Sequence, residues 1–318
     1  MDVMPDGRAG RGLLLILVTA IVSGVSTYVN LFAVGSTSSS AFVTTRNLLV
    51  ALALVPVAIV FGRGAMAKLT RAHWGRLALI GLIGGAIPFL LFFRGLQLAA
   101  AGGGGITVSF LYRTLFLMAM LLGIGALGER FRARVAVGAA LLLAGNALLL
   151  SFTEPIWTDG TGYVLAATAL WAVEYTISRW TLKDLPSSTV AIGRMGFGAL
   201  FLIVYEAATF QLSAVGRFSG TEWLWIGISA AFLTVFVITW YAGLREVEVG
   251  TATAVLTLGF PITYALTVAF SHAYVSPEAA LGGVAIGAGV AVTVGRTLGK
   301  KAGNELLGRM RLSRPVGP

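Results

Sequence analysis

Two side chains pose the chemical question in this sequence, Arg113 and Glu174, each near the middle of a long apolar stretch. Arg113 is about ten residues from either end of its stretch, roughly 15 Å along a helix, too deep to reach water by extending its side chain. A lone charge in that setting costs several kcal/mol, so both groups need a partner. Two chemistries satisfy them: an ion pair between Arg113 and Glu174, or a substrate site in which Arg113 holds an anionic group and Glu174 a cationic one. A buried carboxylate can also exchange its proton as its surroundings change, which makes Glu174 a candidate for proton coupling.

The rest of the chain narrows the chemistry. Without cysteine there are no disulfides, iron–sulfur ligands or thiolate nucleophiles, and two histidines, His73 and His272, both expected in loops, make no multi-histidine metal site. No aspartate falls inside an apolar stretch, and the glycines from Gly102 to Gly105 lack the lysine and hydroxyl residue of a phosphate-binding loop. No catalytic residue, metal or cofactor is assigned.

Membrane helices must position these groups. Of 318 residues, 57% are hydrophobic and 11% charged, where a soluble domain carries about 25% charged residues. Crossing a bilayer takes about 20 apolar residues, and ten stretches qualify: 12–34, 41–61, 75–99, 103–124, 132–151, 161–181, 187–209, 223–243, 250–270 and 278–298. Their connections are short, and tails remain at 1–11 and 299–318.

Lysine and arginine collect on the cytoplasmic side. Placing the N-terminus there puts 18 basic residues inside and only Arg217 outside, with Arg46, Arg94, Arg113 and Arg194 within spans. Glu154, Asp159 and Glu222 join Arg217 outside. The net charge of +10 is therefore a topology signal and not a nucleic-acid surface. The expected location is the cytoplasmic (inner) membrane, multi-pass, with both termini cytoplasmic.

One constant offset aligns the two halves of the chain. Gly12 meets Gly160, Ser39 and Ser40 meet Ser187 and Ser188, Arg46 meets Arg194, Gly95 meets Gly243 and Gly102 meets Gly250. One added residue then brings Glu129 onto Glu278 and Gly138 onto Gly287. Each half has an odd number of spans, so the second enters from the opposite side. This is the inverted repeat of many secondary transporters, whose site lies near the midplane between repeats.

Residues three, four and seven apart share a helical face. In the first span that face carries Ser23, Ser26, Thr27 and Asn30, and the offset converts it to Trp171, Glu174, Tyr175 and Ser178. Likewise Ser109, Tyr112, Arg113 and Phe116 become Thr257, Phe260, Pro261 and Tyr264. Four such stripes around a pseudo-twofold axis would enclose a polar, aromatic-lined cavity. Substrate contact is expected of Arg113, Glu174, Trp171, Tyr175, Tyr112, Ser26, Asn30, Phe260 and Tyr264. Arg46 and Arg194, one to two turns inside their helices, are expected to be structural or gating, snorkelling to the helix end or bonding carbonyls of neighbouring helices. Arg94 and Glu206, near outer ends, are expected either to form or line an outer gate or to be solvated rim residues. The aromatics Tyr28, Phe89, Phe92, Phe93, Trp240 and Tyr241 divide between pathway lining and interface anchoring. Glycines four apart, Gly81 with Gly85 and Gly283 with Gly287, permit close packing within the chain or in a homodimer.

Arginine near the start of the second helix of each unit (Arg46, Arg194), Gly128–Glu129 followed by Gly138, YAGLREVEVGTATAVLTLGFPITYAL at 241–266 with Pro261, and ATALWAVEYTISR at 167–179 resemble the EamA-type transporters of the drug/metabolite transporter superfamily. The chain departs from that pattern at Ser23, where the family often has tryptophan, and at Arg113, where it often has the proline matched by Pro261. The resemblance implies an all-α membrane protein of ten transmembrane helices as two inverted five-helix repeats, 12–151 and 161–298. It places Pro261 among the gating or structural residues. The implied function is transport, not enzymatic: a secondary active or facilitative carrier moving a small organic metabolite by alternating access, with an amino acid or similar zwitterion and the export direction as first expectation. Import of a sugar, nucleoside or amine is the alternative, and a channel or intramembrane enzyme the alternative from another class. Beyond the small-molecule substrate and the lipid bilayer, the partners to test are protons and a second copy of the chain.

Overall fold

The protein is described from a computed structural model over residues 6–33, 38–102, 104–129, 133–150, 157–271 and 276–293. Arg130, Arg132, Glu154, His272 and the basic residues from Arg296 to Arg314 lie outside the described residues.

A backbone removed from water must bond to itself, and the apolar stretches are helical. The helices are α1 (Asp6–Ala33), α2 (Ser39–Met66), α3 (Arg71–Ile80, a π-helical Gly81–Ala86, then Ile87–Ala101) and α4 (Gly105–Arg113 and Leu115–Leu127). They continue as α5 (Ala133–Leu150), α6 (Thr161–Thr181), α7 (Ser187–Ala208), α8 (Gly220–Leu244), α9 (Val249–Leu256 and Gly259–Ser271) and α10 (Pro277–Thr293). No strand occurs among the described residues. Among the described residues, seven helices, α1 to α4 and α7 to α9, are long and apolar enough to cross a membrane; α5 and α10 are shorter, and α6 is long enough but more polar. The polar side chains of α6 face protein: Thr168, Glu174, Thr176, Ser178 and Thr181 are all buried.

α3 starts ahead of its apolar stretch because its first turn is capped. Thr70 Oγ1 accepts from the His73 amide at 3.3 Å, and His73 Nδ1 accepts from the Thr70 amide at 3.2 Å. His73, expected in a loop, is a helix-capping residue. Ser219 and Glu222 open α8 in the same reciprocal way.

Helix packing exchanges in pairs. α1 packs on α8 as α6 packs on α3; α1 packs on α9 as α6 packs on α4; α3 packs on α7 as α8 packs on α2. α2 with α7 and α4 with α9 are direct partners. Replacing each helix of these pairs by its counterpart in the other half returns the same pairings. Glycines related by the sequence offset make the equivalent close approaches. A Cβ on Gly12 would lie 3.3 Å from the Gly243 carbonyl, and one on Gly95 would lie 2.8 Å from that of Gly160. Among the described residues nothing packs against Gly283 or Gly287; Gly282 and Gly289 approach Gly145 and Gly138 instead.

The outside of the bundle is apolar: Leu14, Leu52, Val60, Leu121, Phe270 and Val284 are exposed, while Ser23, Asn30, Arg46, Arg113, Glu174 and Arg194 are buried. Lipid on the outside and polar groups facing protein is the distribution a bilayer imposes.

Candidate functional site

The site is organised from the π-helical turn of α3. The Gly84 carbonyl accepts from Trp171 Nε1 of α6 at 3.0 Å and from Arg194 Nη2 of α7 at 3.1 Å, and the Gly85 carbonyl accepts from Asn47 Nδ2 of α2 at 2.9 Å. Glycine is required at both positions by close approach: a Cβ on Gly84 would run into the Glu174 side chain, and one on Gly85 into the Arg194 carbonyl and, at 3.0 Å, the Gly198 Cα. Asn47 in turn accepts on Oδ1 from Arg46 Nε at 3.0 Å and from Nη2 at 2.8 Å. One distorted turn therefore sets side chains from three neighbouring helices.

Arg46 and Arg194, equivalent under the sequence offset, both approach the Phe89 ring. The guanidinium carbon of Arg46 is 4.6 Å from the Phe89 centroid and 4.5 Å from that of Phe93; that of Arg194 is 5.8 Å from Phe89. Both are buried. Glu174, fully buried, accepts on Oε1 from Tyr241 at 2.6 Å and from the Ser178 hydroxyl, and its Oε2 is 3.7 Å from Arg194 Nη2. Among the described residues, Arg194 Nε and Nη1 have no hydrogen-bond partner. Among the described residues, no carboxylate lies within ion-pair distance of Arg46.

These groups border a central cavity of about 60 Å³, lined by Ser23, Ser26, Thr27 and Asn30 of α1, Arg46 of α2, Phe89, Phe92 and Phe93 of α3, Tyr112 of α4, Trp171 and Tyr175 of α6, Arg194 of α7, and Leu233 and Phe236 of α8. At about 10–15 Å³ per water it admits a few waters. Ser229 Oγ donates to Asn30 Oδ1 at 2.8 Å and orients that amide.

The four α1 residues, Tyr112, Trp171 and Tyr175 thus come together as their stripes suggest. Arg113 and Glu174 are displaced from the lining and do not pair with each other. Arg113 lies behind Ser23, donating from Nη1 to Ser23 Oγ at 3.1 Å and to the Leu256 carbonyl at 3.0 Å. Proline has no amide hydrogen, and α9 is interrupted in the turn before Pro261. The Phe260 amide bonds the Thr257 carbonyl at 3.1 Å instead of reaching Leu256, and Arg113 takes the carbonyl left over. Gly259 leaves the room, since a Cβ there would meet the Arg113 guanidinium.

Phe260 is buried in a separate cluster with Leu142 and Ile286, and Tyr264 packs against that cluster, so neither lines the cavity. Arg94 and Glu206 have different partners: exposed Arg94 donates to Gln97 Oε1 at 3.3 Å, while buried Glu206 accepts from Thr44 Oγ1 at 3.3 Å. Arg94 borders a second cavity of about 440 Å³ with Ser39, Gln97, Tyr163, Tyr205 and Gln211. Asn47 is the organising residue that sequence reasoning passes over; its only signal is an amide beside a buried arginine.

The sequence profile of the EamA-like transporter family matches this chain twice, over residues 10–151 and again over 159–295. The chain belongs to the EamA-like transporter family. It is accordingly a multi-pass membrane protein of a transporter family. A solved structure described only as a crystal structure of a protein superposes with a TM-score of 0.71 at 20% identity, covering 94% of this chain and 98% of that one, which establishes a shared fold. No curated protein matches the sequence.

Proposed function

We propose that this EamA-like chain is a secondary transporter that carries a small organic metabolite across the cytoplasmic membrane by alternating access. One observation carries the reading: the central cavity is walled by α1 to α4 from one half and α6 to α8 from the other, between halves whose helix contacts interchange. Rocking one half against the other opens such a cavity to either side in turn. The sequence offset supports inverted repeats at 12–151 and 161–298, and a basic-residue bias of 18 against one supports cytoplasmic termini. No nucleotide-binding motif is present in the sequence, so a substrate or ion gradient supplies the energy.

The test is purified protein in liposomes. Saturable counterflow of a labelled metabolite is expected. Single-channel currents would identify a channel instead, and a chemically altered solute an enzyme. Repeating counterflow with and without a proton gradient reads proton coupling.

A further inference from the structure

We infer that the metabolite is an organic anion, its carboxylate or phosphate held by Arg46 and Arg194 and its apolar body laid on the aromatic wall of the central cavity. This rests on the transport reading and names the substrate class.

Buried positive charge around the cavity outnumbers negative. Arg46, Arg113 and Arg194 are buried around the cavity, and Glu174 is the carboxylate beside them. Glu174 is not on the cavity lining, its Oε1 shared by Tyr241 and Ser178 and its Oε2 3.7 Å from Arg194 Nη2, which leaves Arg46 and Arg113, among the described residues, without a carboxylate. A substrate ammonium therefore finds no carboxylate on the lining, which disfavours a zwitterion or an amine. An oxyanion finds the opposite. Arg194 is buried, borders the cavity, and among the described residues has Nε and Nη1 without a partner, while Asn47 holds Arg46 in place by two bonds. Two guanidinium groups that approach one ring form a site for charge-assisted bonds to a carboxylate or phosphate, and that anion would relieve the like charge they bring together. Next to them, Trp171 stands 5.4 Å from Phe92 and 5.3 Å from Tyr112, centroid to centroid, a wall suited to a flat apolar group. The cavity of about 60 Å³ must widen to admit such a molecule, as alternating access requires.

The experiment titrates purified protein with benzoate, phenyl phosphate, benzamide, benzylamine and phenylalanine, reading tryptophan fluorescence and heat. Saturable binding of benzoate or phenyl phosphate at least about tenfold tighter than benzamide is expected, and which of the two is tighter tells carboxylate from phosphate. Arg194→Gln should weaken the anion at least about tenfold and leave benzamide unchanged, in protein that keeps wild-type helical circular dichroism. Tighter binding of benzylamine or phenylalanine, saturable binding by neither anion, or unweakened anion binding in folded Arg194→Gln would overturn the assignment. Where that variant does not fold, the ranking on the wild-type protein decides alone. Liposomes separate the two claims. Anion binding without counterflow would sink the transport reading and leave the site, whereas counterflow of phenylalanine or benzylamine that benzoate does not inhibit would keep transport and sink the anion.

Discussion

Glu174 has no access to water and lies beside one arginine, so its charge is held by three neighbours, Ser178, Tyr241 and Arg194. Removing one member of a buried pair strands the other, at a cost of about 3–5 kcal/mol. Glu174→Gln should therefore lower the thermal unfolding temperature strongly, and combining it with Arg194→Met should cost much less than the two single changes added together. Additive losses would mean that the 3.7 Å approach carries no coupling. Sequence reading reaches the fact that Arg113 and Glu174 are both deep in apolar helices. It does not reach their partners, because one residue along a helix turns a side chain by about 100°, enough to move a carboxylate from the cavity onto Tyr241. Arg113 is the converse case. Its place at the position matched by Pro261 is visible in the repeat, but its task, taking the Leu256 carbonyl that the proline break releases, exists only once α4 and α9 are packed together.

At the scale of the element, the π-helical turn of α3 does the positioning. Gly85→Ala drives a methyl into backbone on α7 and should destabilise the protein and displace Arg194, whereas Gly227→Ala in α8, with nothing within 4 Å, should be neutral or stabilising by up to about 1 kcal/mol. Thermal unfolding of both variants checks the contrast; equal effects would show that the turn tolerates bulk. The loop after α4 serves α9: Glu129 accepts from the Val249 amide at 2.7 Å and the Gly250 amide at 3.3 Å, a carboxylate at a helix N-terminus. Burial pushes this carboxyl above its usual range, with the two amide bonds pulling the other way. A carboxyl raised in the folded state holds its proton more tightly there than in the unfolded chain. Its contribution to stability therefore falls as pH rises from the usual carboxylate range through the raised folded value. The unfolding temperature of wild type relative to Glu129→Gln should fall across that window; a difference that grows with pH would reverse the assignment. The Gly128–Glu129 pair is plain in the sequence, but which helix it caps is a long-range contact that no local pattern encodes.

For the whole molecule, orientation is the open prediction, and the absence of cysteine makes it directly testable. Phe210→Cys, in the exposed connection between α7 and α8, should react with a membrane-impermeant maleimide on intact cells. Lys68→Cys, between α2 and α3, should react only after permeabilisation; the reverse pattern would invert the topology. The sequence by itself determines that the chain lives in a bilayer, where its helices fall, and that its halves repeat, because hydropathy and charge act residue by residue against lipid and water. The tertiary structure decides which buried charges meet. Arg46 and Arg194, which look peripheral when counted from the ends of their helices, become the walls of the cavity, while Arg113, which looks central, stands behind it. Depth along one helix is written in the sequence, but facing is a relation between helices, fixed by where glycines allow close approach and where a broken turn leaves a carbonyl to be bonded.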